Sequence, residues 1–333
     1  MKKVFVTGGC GFVGSLLIPE LLKNYIVTVY DCMYFGNSFM PVDEKLNLIT
    51  GDIRDTKLLK ESLKDHDYFI HLACISNDTS FELDEKLSTT VNLEAFEPMV
   101  IAAKESGIKR FIYASTSSVY GISKEKDVTE DHPLVPLTLY NKYKGMCEPI
   151  LFKHTNDDFN GVIFRPATVC GYAPRLRLDL SVNILTTHAI VNNCIKVFGG
   201  EQLRPNLHIK DYCRVVELLL EADNKLIENE IFNVGYQNAS ILEIAKTVKQ
   251  TVSEFFKDKK EIKLEITPSN DKRSYHINSD KIKNTLGFIP NLSIEDAVID
   301  LCEAYSKNKI SDPFNNSIYY NVETVKNSDI LKV

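Results

Sequence analysis

Short apolar runs alternate with longer segments of helical periodicity through the first half of the chain. Lys3 to Thr7 is an apolar stretch that ends in glycines, and FVGSLLIPELLKN behind it carries apolar residues at helical spacing. IVTVYD, KLNLIT, DYFIHLA, KRFIYAS and GVIFRPA continue the strands. Between them the pattern predicts helices at TKLLKESLKD, over about 88 to 106 and over about 140 to 155. Strands that alternate with helices predict a parallel sheet covered on both faces, and nearly all-apolar strands fit burial on both sides. The fold class is therefore α/β, a doubly wound parallel sheet. Pro149 falls inside the last of these helices and is expected to kink it or free it locally.

Beyond Ala167 the pattern is less regular. YAPRLRLDLSVNILTTHAIVNN runs from a loop into a helix, and RPNLHIKDYCRVVELLLEAD gives an extended stretch followed by a strongly amphipathic helix. IFNVG reads as one more strand of the main sheet, so a smaller C-terminal lobe is interleaved with the first domain. The expected division is 1–167 with returning segments about 206–235, and 168–333 mainly for the second lobe. A helix from Ile241, a strand at IKLEI and a helix at LSIEDAVIDLCEAYSKNK complete it. The last residues, polar and Asn-rich around IYYN, leave open whether they pack as a surface tail.

Composition changes this picture by exclusion. Among 333 residues, 39 are basic and 45 acidic, and no basic stripe marks a nucleic-acid binder. The eight cysteines are scattered without a CxxC pair, which suggests neither a metal knuckle nor a disulfide framework. No window reaches the length of a membrane span, and the opening MKKVFVTGG lacks a signal-peptide ending, so a cytoplasmic location is expected.

The first strand leads into TGGCGFVG, with Gly8, Gly11 and Gly14 spaced G-x-x-G-x-x-G and Phe12 and Val13 between the last two. A glycine at such a turn permits positive φ, the next lets phosphate reach bare backbone, and the third lets helix and strand close up. Asp31 ends the second strand, where a carboxylate accepts hydrogen bonds from ribose hydroxyls and repels a 2′-phosphate, so NAD is expected rather than NADP. Asp52 and Ile53 in GDIRD fall at the adenine edge. Leu72 and Ala73 open LACISN, the small-residue exit of the fourth strand.

Tyr140 and Lys144 are four residues apart, which a helix places on one face. An ammonium beside the phenol, together with the positive nicotinamide, favours phenolate and makes Tyr140 a usable base. Thr116, in the hydroxyl-rich stretch YASTSSVYG, would orient the alcohol from the end of its strand.

These motifs together resemble an extended short-chain dehydrogenase/reductase of the nucleotide-sugar epimerase and dehydratase group, over almost the full length. TGGCGFVG resembles its dinucleotide fingerprint, STSSVYG its active-site strand, and Tyr140 to Lys144 its YxxxK element. The resemblance implies a Rossmann-type domain with a C-terminal sugar-nucleotide lobe, catalytic Thr116, Tyr140 and Lys144, and a homodimer through the helices at about 88 to 106 and 140 to 155. Dehydratases of the group carry Thr-Asp-Glu at the active-site strand. Here those positions are Thr116, Ser117 and Ser118, which disfavours dehydration unless a carboxylate arrives from another segment. What remains is oxidation at C4 and return of hydride to the other face, a C4 epimerisation. A 4-dehydrogenase or reductase using the same residues is the alternative, and a catalytically inactive NAD-binding regulator or scaffold is the alternative outside enzymes.

The same resemblance assigns substrate contacts. Arg204, ahead of HIKD, corresponds to the arginine on the diphosphate, and Asn183 in SVNILT to an asparagine on phosphate or sugar. Arg273 matches the later arginine of the RPGD-x-R element, whose first arginine is missing here. Arg175 and Arg177 either clamp phosphates or a polar sugar edge, or pair with Asp179 to fix their loop. His208 has no companions for a metal site.

Overall fold

Alternation along each strand decides the layering. In β1 (Lys3–Thr7), Val4 and Val6 are fully buried in one apolar layer and Phe5 in the other. β2 (Ile26–Asp31) repeats this with Val27 and Val29 against Tyr30. After β3 (Leu46–Thr50) and β4 (Tyr68–His71), β5 (Arg110–Ala114) sorts Ile112 from Phe111 and Tyr113. β6 (Asn160–Pro166) sorts Val162 and Phe164 from Ile163. Successive side chains point to opposite faces, so every central strand feeds both cores. Each such buried side chain contributes about 1.5–3 kcal/mol. Helices Gly14–Leu21 and Ile209–Glu221 cover one face. Thr56–Ser62, Phe96–Glu105 and Leu139–His154 cover the other.

The computed structural model describes the chain apart from residues 77, 82, 124, 126, 269–273 and 328–333. Beyond β6 come β7 (Thr168–Cys170), β8 (Cys194–Phe198), β9 (Leu203–His208), β10 (Glu230–Val234), β11 (Gln237–Ser240) and β12 (Lys263–Thr267). The main sheet has seven strands, all parallel, in the order β10-β6-β5-β4-β1-β2-β3. The expected return of IFNVG is β10, paired with β6 from Glu230↔Val162 to Val234↔Pro166. Strand order reverses between β1 and β4, so a crevice opens there at the carboxyl ends. The smaller lobe holds a three-stranded sheet, β11-β9-β7, and the pair β12-β8.

Two local expectations need correction, and one open point is decided. The single helix expected over about 88 to 106 is instead Glu85–Thr89, a π turn at Thr90–Glu94, and Phe96–Glu105. The wide turn carries Asn92, whose amide accepts from the Ile75 N–H and donates to the Ile75 carbonyl, each at 2.9 Å, bracing the loop after β4. The helix Leu139–His154 runs through Pro149 without a break. Pro149 lies on its exposed face, where water can reach the Gly145 carbonyl left without a donor. The segment around IYYN packs against the lobe. Tyr319 is buried with Leu176, Leu178 and Leu301, its carbonyl accepts from the Leu178 N–H, and a helix follows at Asn321–Asn327.

Candidate active site

The crevice at the reversal point is a cavity of about 460 Å³. Sheet order lays out its contents, from Asp31 and Asp52 behind β2 and β3, past the glycine turn, to Thr116 behind β5 and Arg204 on β9. At the glycine turn, Gly8 has φ +76°, and a Cβ there would stand 2.5 Å from the Ala73 nitrogen. A Cβ on Gly14 would stand 2.1 Å from the Gly9 carbonyl oxygen. No side chain fits either place, so backbone N–H groups and the start of the Gly14–Leu21 helix face the cavity.

Asp31 is braced from both sides, accepting from the Cys10 N–H at 2.9 Å and the Met33 N–H at 2.7 Å. Burial pushes its carboxyl above the ordinary value, against these two hydrogen bonds and the Arg175 guanidinium. Asp52 is held by Arg54 through Nε at 3.0 Å and Nη2 at 2.6 Å. Phe12, Val13, Gly11, Ile53, Leu72 and Ala73 line the same end. This is a fit for a dinucleotide: a cradle that a Cβ would fill, helix N–H groups for a pyrophosphate, and a fixed carboxylate for a ribose diol.

At the centre, Thr116, Ser118, Tyr140 and Lys144 line one wall. Thr116 caps the short turn Ser117–Tyr120, its Oγ1 accepting from the Ser118 N–H at 3.2 Å and lying 2.6 Å from the Ser118 hydroxyl. Ser117 turns inward and is 1% exposed, so Ser118 alone of that pair faces the cavity. The Lys144 ammonium donates to the Ala114 carbonyl at 2.8 Å. Neighbouring Tyr143 meets Thr89 at 3.3 Å and does not line the cavity.

The protein packed around Tyr140 pushes its phenol well above the ordinary value; Cys74 and Asp78 push the same way, and the Arg177 guanidinium opposes them. The Arg177 guanidinium is thus a cation that counters burial at this phenol. Arg177 is itself held by Asp179 through two bonds, at 2.9 and 3.1 Å. A pH–rate profile checks this charge: kcat should rise with pH as the phenol ionises. Arg177→Ala removes a cation that favours phenolate, raises the Tyr140 pKa and moves that limb to higher pH. An unmoved limb would remove Arg177 from the role.

Behind this wall lies a buried polar network. Glu148, one turn beyond Lys144, accepts from Ser115 Oγ at 2.7 Å and from Arg165 Nε and Nη2 at 3.0 and 2.6 Å. Arg165 also donates to the Tyr120 hydroxyl at 2.6 Å, which donates to Asn233 at 2.7 Å. Ser115 and Tyr120 flank the Thr116 turn, so the network fixes that turn against the Tyr140 helix.

The substrate-side residues divide. Arg204 and Arg177 line the cavity. Arg175 lines it too, but on the cofactor side, where its guanidinium carbon lies 3.5 Å from the Phe35 ring centre. Asn183 is fully buried outside the cavity wall, its amide spent on the Gly171 N–H and on the carbonyls of Gly171 and Arg177. Its amide ties the arginine loop to Gly171. Arg273, like Asn77 of LACISN, lies outside the described residues. Sequence reasoning missed Ser76, Asp78, Tyr212 and the C-terminal Asn321 and Val325, all of which line the cavity. Asp78 is a carboxylate arriving from another segment; it accepts from Thr138 Oγ1 at 2.6 Å, at the start of the Tyr140 helix. Among the described residues no group of three or more His, Cys, Asp or Glu is placed to hold a metal, and no helix is long and apolar enough to cross a membrane.

Comparison with known proteins agrees with this geometry. A model of the NAD dependent epimerase/dehydratase family matches residues 4–235. A mouse dTDP-D-glucose 4,6-dehydratase is 32% identical over 327 residues, covering 92% of this chain and 89% of the relative. A Lactobacillus helveticus UDP-glucose 4-epimerase is 29% identical over 271 residues, 74% of this chain and 81% of the relative. Among solved structures, the UDP-glucuronic acid 4-epimerase of Bacillus cereus, in complex with UDP-glucuronic acid and NAD, superposes with a TM-score of 0.80 at 29% identity, covering 92% of this chain and 99% of that one.

Proposed function

Because the chain belongs to the NAD dependent epimerase/dehydratase family, we propose that it inverts C4 of a nucleotide-diphosphate sugar through a 4-keto intermediate. Gly8, Gly11, Gly14 and Asp31 would hold the NAD, which when bound supplies an acceptor and then a donor of the C4 hydride. Tyr140 takes the proton of the C4 hydroxyl and later returns one to the oxygen. Thr116 and Ser118 hydrogen-bond that oxygen and fix its direction. Lys144, anchored on the Ala114 carbonyl, holds the Tyr140 face of the helix toward the cofactor end. At the far end Arg204 offers a guanidinium fork to the diphosphate. Inversion requires the flat ketone to turn over before it is reduced.

The observation that carries this reading is Ser118, a neutral hydroxyl on the active-site turn where dehydration would want an acid. Asp78 favours a second reading. A carboxylate in the same cavity, near Tyr140, could move a proton beside the ketone, as 4,6-dehydration requires. The two are separated by incubating the protein with a panel of UDP-, GDP-, CDP- and dTDP-sugars and following mass and configuration. Epimerisation gives a new species of unchanged mass. Loss of water supports the Asp78 reading, and loss of two hydrogens a 4-dehydrogenase. An enzyme that turns over no member of the panel would favour an NAD-binding scaffold.

A further inference from the structure

Arg175 and Asn321 meet over the glycine turn. Arg175 Nη2 donates to Asn321 Oδ1 at 2.5 Å, and Asn321 Nδ2 donates to Ser76 Oγ at 2.7 Å. On its other side the Arg175 guanidinium stacks on Phe35, in the loop behind β2. Ser76 lies in the loop behind β4. In the sheet β1 stands between β4 and β2, so a chain of contacts Phe35–Arg175–Asn321–Ser76 crosses above the end of β1, where the glycine turn begins. Arg175 is 2% exposed and Asn321 6%, and both line the cavity.

Two further observations point to a ligand beneath this bridge. Arg175 Nε is buried and has no hydrogen-bond partner, although a buried guanidinium ordinarily pairs all its donors. Burial, reinforced by Arg177 and opposed by the Asp179 and Asp31 carboxylates, pushes the Arg175 pKa down to about 9, so further negative charge at this cation is favoured. Asn321 is tied down independently, because the preceding residues are anchored through Tyr319 and its own N–H reaches Asp179 at 3.4 Å.

We infer that Arg175 and Asn321 form a bridge that retains the dinucleotide through turnover, Arg175 giving charge to the pyrophosphate and Asn321 keeping the bridge closed from the C-terminal segment. This rests on the proposed reading for its use: a cofactor that cannot leave while reduced returns its hydride to the same sugar. It makes Arg175 and Asn321 positioning residues for epimerisation as opposed to net oxidation.

The test needs no sugar. Protein loaded with NADH is mixed with excess NAD, and release is followed by the loss of protein-bound NADH fluorescence. Asn321→Ala should speed release at least tenfold with its far-ultraviolet circular dichroism unchanged, and Arg175→Gln should weaken NADH binding at least tenfold, with Arg175→Lys restoring part of it. Should Asn321→Ala not fold, Ser76→Ala opens the same bridge from the other side and should also speed release. Release and affinity within twofold of wild type in Arg175→Gln and in whichever of Asn321→Ala or Ser76→Ala folds would overturn the bridge. Because the readout is cofactor release alone, that result would leave the C4 chemistry standing. Conversely, slow release in a protein that converts no sugar would keep the bridge and remove the epimerase.

Discussion

Tyr140→Phe should lower turnover of the nucleotide sugar by about 10²–10⁴-fold, the usual worth of a positioned general acid–base group. The ring remains, so the packing of the Leu139–His154 helix and the cofactor end of the cavity are kept. What disappears is the phenolic oxygen proposed to exchange a proton with the C4 hydroxyl. Thr116 and Ser118 cannot replace it, since an aliphatic hydroxyl is a far weaker acid than a phenol and supplies no oxyanion near neutral pH. NADH affinity, measured by fluorescence titration, should change by less than threefold, which separates loss of chemistry from loss of the site. Turnover equal to wild type would remove Tyr140 from the mechanism.

Glu148→Ala should be the most destabilising single change near the site. Glu148 and Arg165 are 2% and 3% exposed, and their two-point contact is the chief compensation for burying either charge. Truncating one partner leaves the other charged and unpaired, which costs about 3–5 kcal/mol. The Ser115 hydroxyl loses its acceptor as well, and the Thr116 turn loses its tie to the Tyr140 helix. The thermal and urea midpoints should both fall, and Glu148→Ala combined with Arg165→Met should lose less than the sum of the single changes, since the stranded charge is then gone. Unchanged midpoints in Glu148→Ala would show that the pair carries no weight.

The parts of this site that were legible in the sequence are those that local physics dictates. The glycine spacing, the apolar β1 before it and Asp31 at the end of β2 belong to a single βαβ unit, where neighbours in sequence are neighbours in space. Tyr140 and Lys144 share a helical face for the same reason. The helix about 88 to 106 was half legible: periodicity marks its apolar face, but the π turn carries Asn92 to Ile75, a contact across 17 residues that no local pattern shows. The surroundings of Asn183 and Arg175 were hidden on a similar ground. Residue type suggested ligand binding, while the fold turned Asn183 into the wall behind the arginine loop and aimed Arg175 at the cofactor end. Asn321 was beyond reach, since its partners Ser76 and Arg175 lie 245 and 146 residues earlier. The aromatic pair in IYYN was its one visible sign, because a buried Tyr319 is what brings Asn321 to the cavity.

The most direct test of C4 inversion is to repeat the sugar-nucleotide incubation with a converted substrate carrying deuterium at C4. The account predicts a product of unchanged mass with inverted configuration at C4 and the deuterium still on that carbon. A product that has lost water, or whose deuterium has left C4 for the cofactor pool or another carbon, would contradict it.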